Sequence, residues 1–403
     1  MNRDKKTARS HAALSSGGAA AGEAARRIRT IDAARGLGML LIVLGHVLRG
    51  GFLRQLLFAF SVPLFFLLAG MTYRRERRWT VFVRKRLRSL MLPYFAAALF
   101  SIAVFSFLGA AAGARLGVPE VRTGVLRSLL GMLWGNSRSG MMKWNEPLWF
   151  LPCLFAASLL CDLWERGIVG LTGAMALPRS RFPVSAGVLC PFLRLVFCLL
   201  SFAAAEWYAR AGAAALPWSA EAAVGMSGFF EMGILLRSLR AERFHDFDGQ
   251  AGGGARGRGR AAAPALRTVL PVFVLPAGTA ALIVICRRNG FAQVRDLNYG
   301  NSALLFYLAA LAGCAAALSA AWLLRGVRWL GAVGRDSLFI LLFHKLPVVL
   351  LQLLPGTAAL WRRGSGAAAL LAGAAAAAAA IALCMAFHVL LRRSRIAKSR
   401  FRL

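Results

Sequence analysis

An arginine and a histidine inside one apolar stretch are the residues of this sequence best suited to chemistry. The stretch IDAARGLGMLLIVLGHV contains Arg35 and His46, which are eleven positions apart. At about 1.5 Å of rise per residue, a helix would separate them by roughly 16 Å along its axis. If this helix crosses a membrane, Arg35 lies near one face and His46 near the bilayer centre. An ionisable side chain at that depth costs on the order of 2.5–3.5 kcal/mol, so we expect it to have a function.

Each of these two residues also has a purely structural interpretation. Arg35 follows Asp32 by three positions, and the two could pair on one helix face as a membrane-edge anchor. Arg35 could equally hold an anionic ligand or orient a catalytic residue. His46 could be a hydrogen-bonded packing residue, or its neutral imidazole could take a proton from a hydroxyl as a general base. No GxSxG nucleophile motif lies nearby, which favours direct action on an acceptor hydroxyl.

Two further segments contain candidate binding residues. In VRKRLRSLMLPY, Lys85 and Arg88 are three positions apart, where a helix would place them on one face. They could hold a phosphate, or they could act only as a topology signal. In KWNEPLWFLPCLF, Glu146 and Trp149 could contact a sugar, or they could belong to the rim and the aromatic belt at the membrane surface.

A second intramembrane histidine and a proline-containing stretch suggest a shared cavity. His344 occurs in LGAVGRDSLFILLFHKLP, at a depth similar to that of His46, so the two could line one cavity or His344 could simply pack. The stretch FAFSVPLFFLLAGMTYR contains Pro63, which frees a backbone carbonyl, and Gly70, which allows close helix approach. Such backbone at membrane depth lines a cavity or is buried between helices.

The composition indicates that these residues belong to a polytopic membrane protein. Of 403 residues, 58% are hydrophobic, and the mean hydropathy is +0.60, whereas soluble domains are nearer 45–50% apolar. Ten apolar stretches are long enough to cross a hydrocarbon core of about 30 Å. We predict an all-α transmembrane bundle of about ten spans. They run approximately over 33–51, 55–72, 89–112, 147–164, 190–210, 219–236, 268–286, 300–324, 332–354 and 366–391.

The distribution of charge predicts the orientation and argues against a nucleic-acid partner. The net charge is +34, but the Lys and Arg residues cluster in short segments between apolar stretches. Cytoplasmic loops carry such an excess, and anionic lipid headgroups of the bilayer attract it. With ten spans, segments 73–88 and 237–267 and both termini fall on the cytoplasmic side. We expect 1–30 to be a disordered basic tail, 392–403 a second basic tail, and 240–266 a flexible Gly/Arg loop.

Five segments, in order along the chain, resemble the acyltransferase-3 family of membrane-bound O-acyltransferases, and within it the fucose 4-O-acetylase-like branch. They are DAARGLGMLLIVLGH, FAFSVPLFFLLAG, RKRLRSLMLPY, LWFL at 148–151 and GRDSLFILLFH. Residues 31–391 would form the transmembrane acyltransferase domain. Two positions depart from the family pattern: Ala69 stands where Ser is common, and Lys85 where Arg is common.

The resemblance implies transfer of an acetyl group from cytoplasmic acetyl-CoA to a hydroxyl of a cell-envelope glycan, in a bacterial inner membrane. His46 would be the catalytic base or a transient acyl carrier, and Arg35 would support the donor or orient His46. Lys85 and Arg88 would engage the phosphates of the donor. The residues expected on the acceptor side are Glu146, Trp149 and His344. No metal is expected, because the seven cysteines form no ligand pattern.

A different class of function would use the same two histidines. An exporter or flippase of a glycan or small anion could employ His46 and His344 as a proton relay. The chain shows no internal repeat of the kind from which many transporters are built, and the order of the acyltransferase motifs also weighs against this alternative. The acceptor, whether polysaccharide, lipid-linked sugar or peptidoglycan, stays open at this stage, as does the oligomeric state.

Overall fold

The computed structural model describes residues 29–48, 50–112, 124–175, 186–249, 262–353 and 367–394. Nine helices within these ranges are long and apolar enough to cross a membrane, which confirms the all-α polytopic bundle. Most of both predicted tails lies outside the described residues. The predicted Gly/Arg loop, 240–266, has helix at both of its ends, up to Gly249 and again from Ala262. Its centre, 250–261, also lies outside them.

The described residues form fourteen α-helices. In chain order they are α1 Arg29–Val47, α2 Gly51–Met71, α3 Trp79–Arg86, α4 Leu92–Ala112, α5 Val125–Trp134, α6 Phe150–Met175, α7 Ala186–Arg210, α8 Ala220–Gly249, α9 Ala262–Asn289, α10 Ala303–Leu323, α11 Arg328–Arg335, α12 Ser337–Phe343, α13 Lys345–Leu353 and α14 Ala367–Arg393. A π-helical turn, Leu87–Met91, joins α3 to α4. Short 3-10 turns over Lys143–Trp149 and Val294–Asp296 precede α6 and α10.

The predicted span 332–354 differs from the other nine because it is divided into three short helices. Asp336 separates α11 from α12, and His344 separates α12 from α13. Pro347, in the first turn of α13, has no backbone N–H with which to bond the Phe343 carbonyl, and this weakens the helix at the second joint. Some backbone hydrogen bonds continue at both joints, from the Ile340 N–H to Asp336 and from the Val348 N–H to His344. Such an irregular helix at membrane depth is tolerated where it is buried or lines a cavity.

Side chains satisfy the carbonyl groups next to the second joint. His344 Nδ1 lies 2.9 Å from the carbonyl oxygen of Ile340 and 3.0 Å from that of Leu341. Asn145, from the 3-10 turn before α6, donates from its amide to the Leu342 carbonyl at 3.0 Å. Backbone groups released from a helix inside a bilayer need such partners. The joint therefore fixes the position of the His344 ring.

Two pairs of glycines bring helix backbones into direct contact. On α2, a Cβ atom at Gly70 would lie 1.8 Å from the carbonyl oxygen of Phe230 on α8. On α8, a Cβ atom at Gly233 would lie 2.1 Å from the carbonyl oxygen of Leu67. This confirms the close approach predicted for Gly70, which small residues make possible in membrane bundles.

The second glycine pair attaches α1 to α11. A Cβ atom at Gly36 would lie 2.1 Å from the Leu330 carbonyl oxygen, and one at Gly334 would lie 1.8 Å from that of Asp32. The contact places the first turns of α1 beside the end of α11. It therefore brings Arg35 and Arg335 to the same end of the bundle.

Replacing Gly70 with Ala should destabilise the protein by about 3 kcal/mol or more, because the added methyl group meets backbone that cannot move aside independently. Gly167→Ala is a matched control, since no atom lies within 4 Å of a Cβ at that exposed helical position. The control should be neutral or slightly stabilising. Thermal unfolding in detergent checks both variants. A Gly70→Ala protein as stable as the control would contradict the backbone contact between α2 and α8.

Candidate active site

The His46 side chain is exposed in the wall of a cavity at one end of the bundle, the histidine cavity. Residues from α1, α2, α6, α12 and the connection between α9 and α10 form this wall. Its space, including the open mouth, is about 600 Å³. The polar or aromatic residues of the wall are His46, Phe58, Ser61, Trp149, Phe150, Gln293 and Arg295.

Behind this wall, the structure brings the two intramembrane histidines together. The ring centroids of His46 and His344 are 5.4 Å apart, and the ring planes differ by 37°. His344 is fully buried. Because its Nδ1 faces two carbonyl oxygens, Nδ1 carries the proton in the neutral ring, and Nε2 keeps a free lone pair. Nε2 is buried and has no hydrogen-bond partner among the described residues, so it can accept a hydrogen bond from a neighbouring donor.

Of the acceptor-side residues expected from the sequence, Trp149 lies in the wall and Glu146 contacts another wall residue, Arg295. Glu146 accepts from Arg295 at 2.5 Å, and Arg295 also binds both oxygens of Asp296, at 3.0 and 3.1 Å. Burial alone would lower the pKa of Arg295, but these bonds to Asp296 and Glu146 raise it above its ordinary value. Arg295 was not among the sequence candidates, although an arginine in a short connection between spans is a detectable signal.

A second cavity, the arginine cavity, opens beside Arg35 at the opposite end of α1. Its space is about 980 Å³, including its opening. The Arg35 guanidinium donates to Thr72 Oγ1 at 3.3 Å. The Asp32 carboxylate, which the spacing would allow to pair with Arg35, instead lies 3.9 Å from Arg335. The polar residues that line the cavity are Arg35, Thr72, Arg86, Ser89, Arg335 and Ser337.

The two cationic residues predicted from spacing, Lys85 and Arg88, do not line this cavity. Both are exposed, and Lys85 Nζ pairs with Glu76 at 2.6 Å. Arg86 and Ser89 line it instead. The π-helical turn that begins at Leu87 changes the rotation per residue, so an α-helical spacing rule cannot identify the inward face. The donor role of Lys85 and Arg88 stays a prediction, while Arg86 is the cation of this segment that lines the cavity.

Three apolar side chains belong to the walls of both cavities. Ile42 on α1, Phe150 at the start of α6 and Leu341 on α12 line the histidine cavity and the arginine cavity alike. We call these three residues the waist. The waist lies between the arginine cavity and the histidine cavity. A ligand that passes the waist reaches from Arg35 towards His46.

A polytopic helical bundle with a histidine and an arginine in two adjoining cavities defines a multi-pass membrane protein with an intramembrane site. A family model described as an acyltransferase domain matches residues 28–389, so the chain belongs to the acyltransferase-3 family and is a membrane acyltransferase. No curated protein and no solved structure matches the chain. Membership of the fucose 4-O-acetylase-like branch stays a prediction.

Proposed function

We propose that this protein transfers an acetyl group from cytoplasmic acetyl-CoA to a hydroxyl of a cell-envelope glycan in a bacterial inner membrane. The observation that carries the proposal is the arrangement of the two cavities on either side of the waist, Ile42, Phe150 and Leu341. The arginine cavity would take the donor from the cytoplasm. The histidine cavity would take the acceptor from the other side.

The cations of the arginine cavity support the donor assignment. Arg35, Arg86 and Arg335 line it, and guanidinium groups form strong charge-assisted hydrogen bonds with phosphate, which coenzyme A carries. The adjoining segment 73–88 contains eight Lys or Arg residues, so the positive-inside rule favours a cytoplasmic position for this end. With its phosphates held there, the coenzyme could extend its thioester arm towards the waist.

In the proposed reaction, His46 acts as general base. It takes the proton of the acceptor hydroxyl while the hydroxyl oxygen attacks the thioester carbonyl carbon. The tetrahedral intermediate then collapses: the carbon–sulfur bond breaks, the ester stays on the glycan, and the coenzyme A thiolate leaves with the proton that His46 returns. Protein atoms and charges are unchanged after one cycle.

His344 would act as a positioning residue in this reaction. Its Nε2 lone pair can accept a hydrogen bond from the N–H of His46, with the ring centroids 5.4 Å apart. That bond would select one tautomer of His46 and leave its other nitrogen free to accept a proton. The buried carbonyl contacts of His344 keep its own orientation constant, which supports this role.

Mass spectrometry of the cell-surface glycan tests the proposal. A strain that lacks the protein should keep its surface glycan but lose base-labile acetyl groups, and the wild-type gene should restore them. Purified protein in vesicles should transfer labelled acetyl from acetyl-CoA to the deacetylated glycan. The exporter alternative predicts the opposite pattern, with glycan missing from the surface and no acetyl group in the wild type.

A further inference from the structure

An arginine that contacts the wall of the histidine cavity is held between two aromatic rings. Arg54 lies in the first turn of α2, and its guanidinium carbon is 4.5 Å from the ring centroid of Phe58 and 4.9 Å from that of Phe291. Phe58 itself lines the histidine cavity. Cation–π contacts of this kind fix the plane of the guanidinium group and still leave its edge able to donate hydrogen bonds.

Arg54 differs from its neighbour Arg295 in having no carboxylate partner. Arg295 is bound by Glu146 and Asp296. No described residue forms an ion pair with Arg54, and its buried Nε atom has no hydrogen-bond partner within the described ranges. The half-buried guanidinium therefore has capacity left to bind the anion of a ligand.

Two general effects also oppose a cation at this position. The N-terminus of a helix carries partial positive charge, so the dipole of α2 repels Arg54. In the proposed orientation this end of the bundle also faces away from the cytoplasm, where arginines are not favoured. Arg287 nevertheless adds an exposed cation nearby, with its guanidinium carbon 5.6 Å from the ring centroid of Phe52.

Arg54 is close enough to His46 to contact the molecule on which His46 acts. The Phe58 ring centroid lies 5.8 Å from the His46 ring centroid and 4.5 Å from the Arg54 guanidinium carbon. The His46 ring centroid and the Arg54 guanidinium carbon are therefore at most about 10 Å apart. A polar ligand that places a hydroxyl at His46 can therefore place another of its groups at Arg54.

We propose that Arg54 binds an acid group of the acceptor, so that the glycan acetylated by this protein is anionic. The acid group is a carboxylate or a phosphate, both of which match the planar donors of a guanidinium. This proposal rests on the acetyltransferase function and adds the chemical class of its acceptor. Arg54 is a specificity residue, since it contacts the substrate away from the reacting hydroxyl.

The test uses full-length protein in neutral phosphatidylcholine vesicles with labelled acetyl-CoA. The acceptor is envelope polysaccharide extracted from the deletion strain, used untreated, carboxyl-reduced or dephosphorylated. Arg54→Gln should raise the KM for untreated acceptor by about tenfold or more, with kcat little changed. Arg54→Lys should give an intermediate value. Arg210→Gln, which removes an outer-end cation that already pairs with Glu206, should leave KM unchanged.

If the proposal is correct, removal of the acid group from the acceptor and the Arg54→Gln substitution abolish the same contact. One of the two treatments should raise the wild-type KM by the same factor as Arg54→Gln and remove the difference between wild type and variant, and it thereby identifies the acid group. An equal KM for all three acceptors in the wild type would overturn the proposal. An increase in KM for Arg54→Gln that persists with acceptor lacking both acid groups would also overturn it. An increase that appears only when the vesicles contain anionic lipid would overturn it as well. No transfer by wild type to any acceptor would overturn the acetyltransferase function itself.

Discussion

Replacement of His46 by Gln is expected to lower kcat for acetyl transfer by about 10²–10⁴-fold, the contribution typical of a general base. Glutamine keeps a polar side chain of similar size in the wall of the histidine cavity, but it cannot accept the hydroxyl proton. The KM for acetyl-CoA should change little, because the arginines proposed to bind the donor line the other cavity, on the far side of the waist from His46. Transfer of labelled acetyl by purified protein in vesicles measures both constants, and size-exclusion chromatography confirms folding.

Two other histidines provide comparisons for this variant. His388 stacks on Phe339 with ring centroids 4.3 Å apart and lies 3.3 Å from Asp336; it does not line either cavity, so His388→Gln should retain wild-type kcat. His344→Ala should cause a smaller loss than His46→Gln, about tenfold, because it removes the orienting lone pair and leaves the base in place. A folded His46→Gln protein with more than about a tenth of the wild-type rate would exclude His46 as the base.

The KM for acetyl-CoA is expected to rise by about 10- to 150-fold when Arg35 or Arg86 is replaced by Gln. Each charge-assisted contact with a phosphate contributes about 1.5–3 kcal/mol, and about 1.4 kcal/mol corresponds to a factor of ten. Both guanidinium groups line the arginine cavity, where they can reach the same donor. Steady-state kinetics with varied acetyl-CoA measure the change. A donor without the 3′-phosphate identifies which contact each residue makes.

Lys85→Gln and Arg88→Gln are the matched variants for the donor prediction. Both side chains are exposed on the same turns of helix but do not line the cavity, so each should raise the KM by no more than about threefold. If Lys85 or Arg88 has a larger effect than Arg86, the phosphates bind at the rim that the α-helical spacing predicted. If none of the four variants changes the KM, the donor does not enter through the arginine cavity.

The amino-acid sequence determined the class of fold and the first helix of the site. Apolar stretches of sufficient length predict spans directly, because every backbone group in a bilayer must be satisfied within a helix. Arg35 and His46 lie on one uninterrupted helix, α1, so their separation follows from the rise per residue alone. The close approach at Gly70 was also predictable, since only a small residue allows such contact.

The parts of the site that depend on contacts between distant segments were decided by the tertiary structure. The contact between His46 and His344 requires α12 to end at a joint beside α1, and the 3-10 turn that contains Asn145 helps to hold that joint. The pairing of Glu146 with Arg295 joins segments that are remote in the chain. Spacing rules do not report such neighbours, because helix periodicity describes one element at a time.

The π-helical turn that begins at Leu87 explains why the sequence spacing favours Lys85 and Arg88 although Arg86 lines the cavity. A spacing of three residues places two side chains on one face only if the helix is regular, and here a π-helical turn begins between them. The waist of Ile42, Phe150 and Leu341 has no sequence signal either, since each residue is an ordinary apolar member of its own helix. Its role arises because three helices place these side chains between two cavities, an arrangement that only tertiary packing produces.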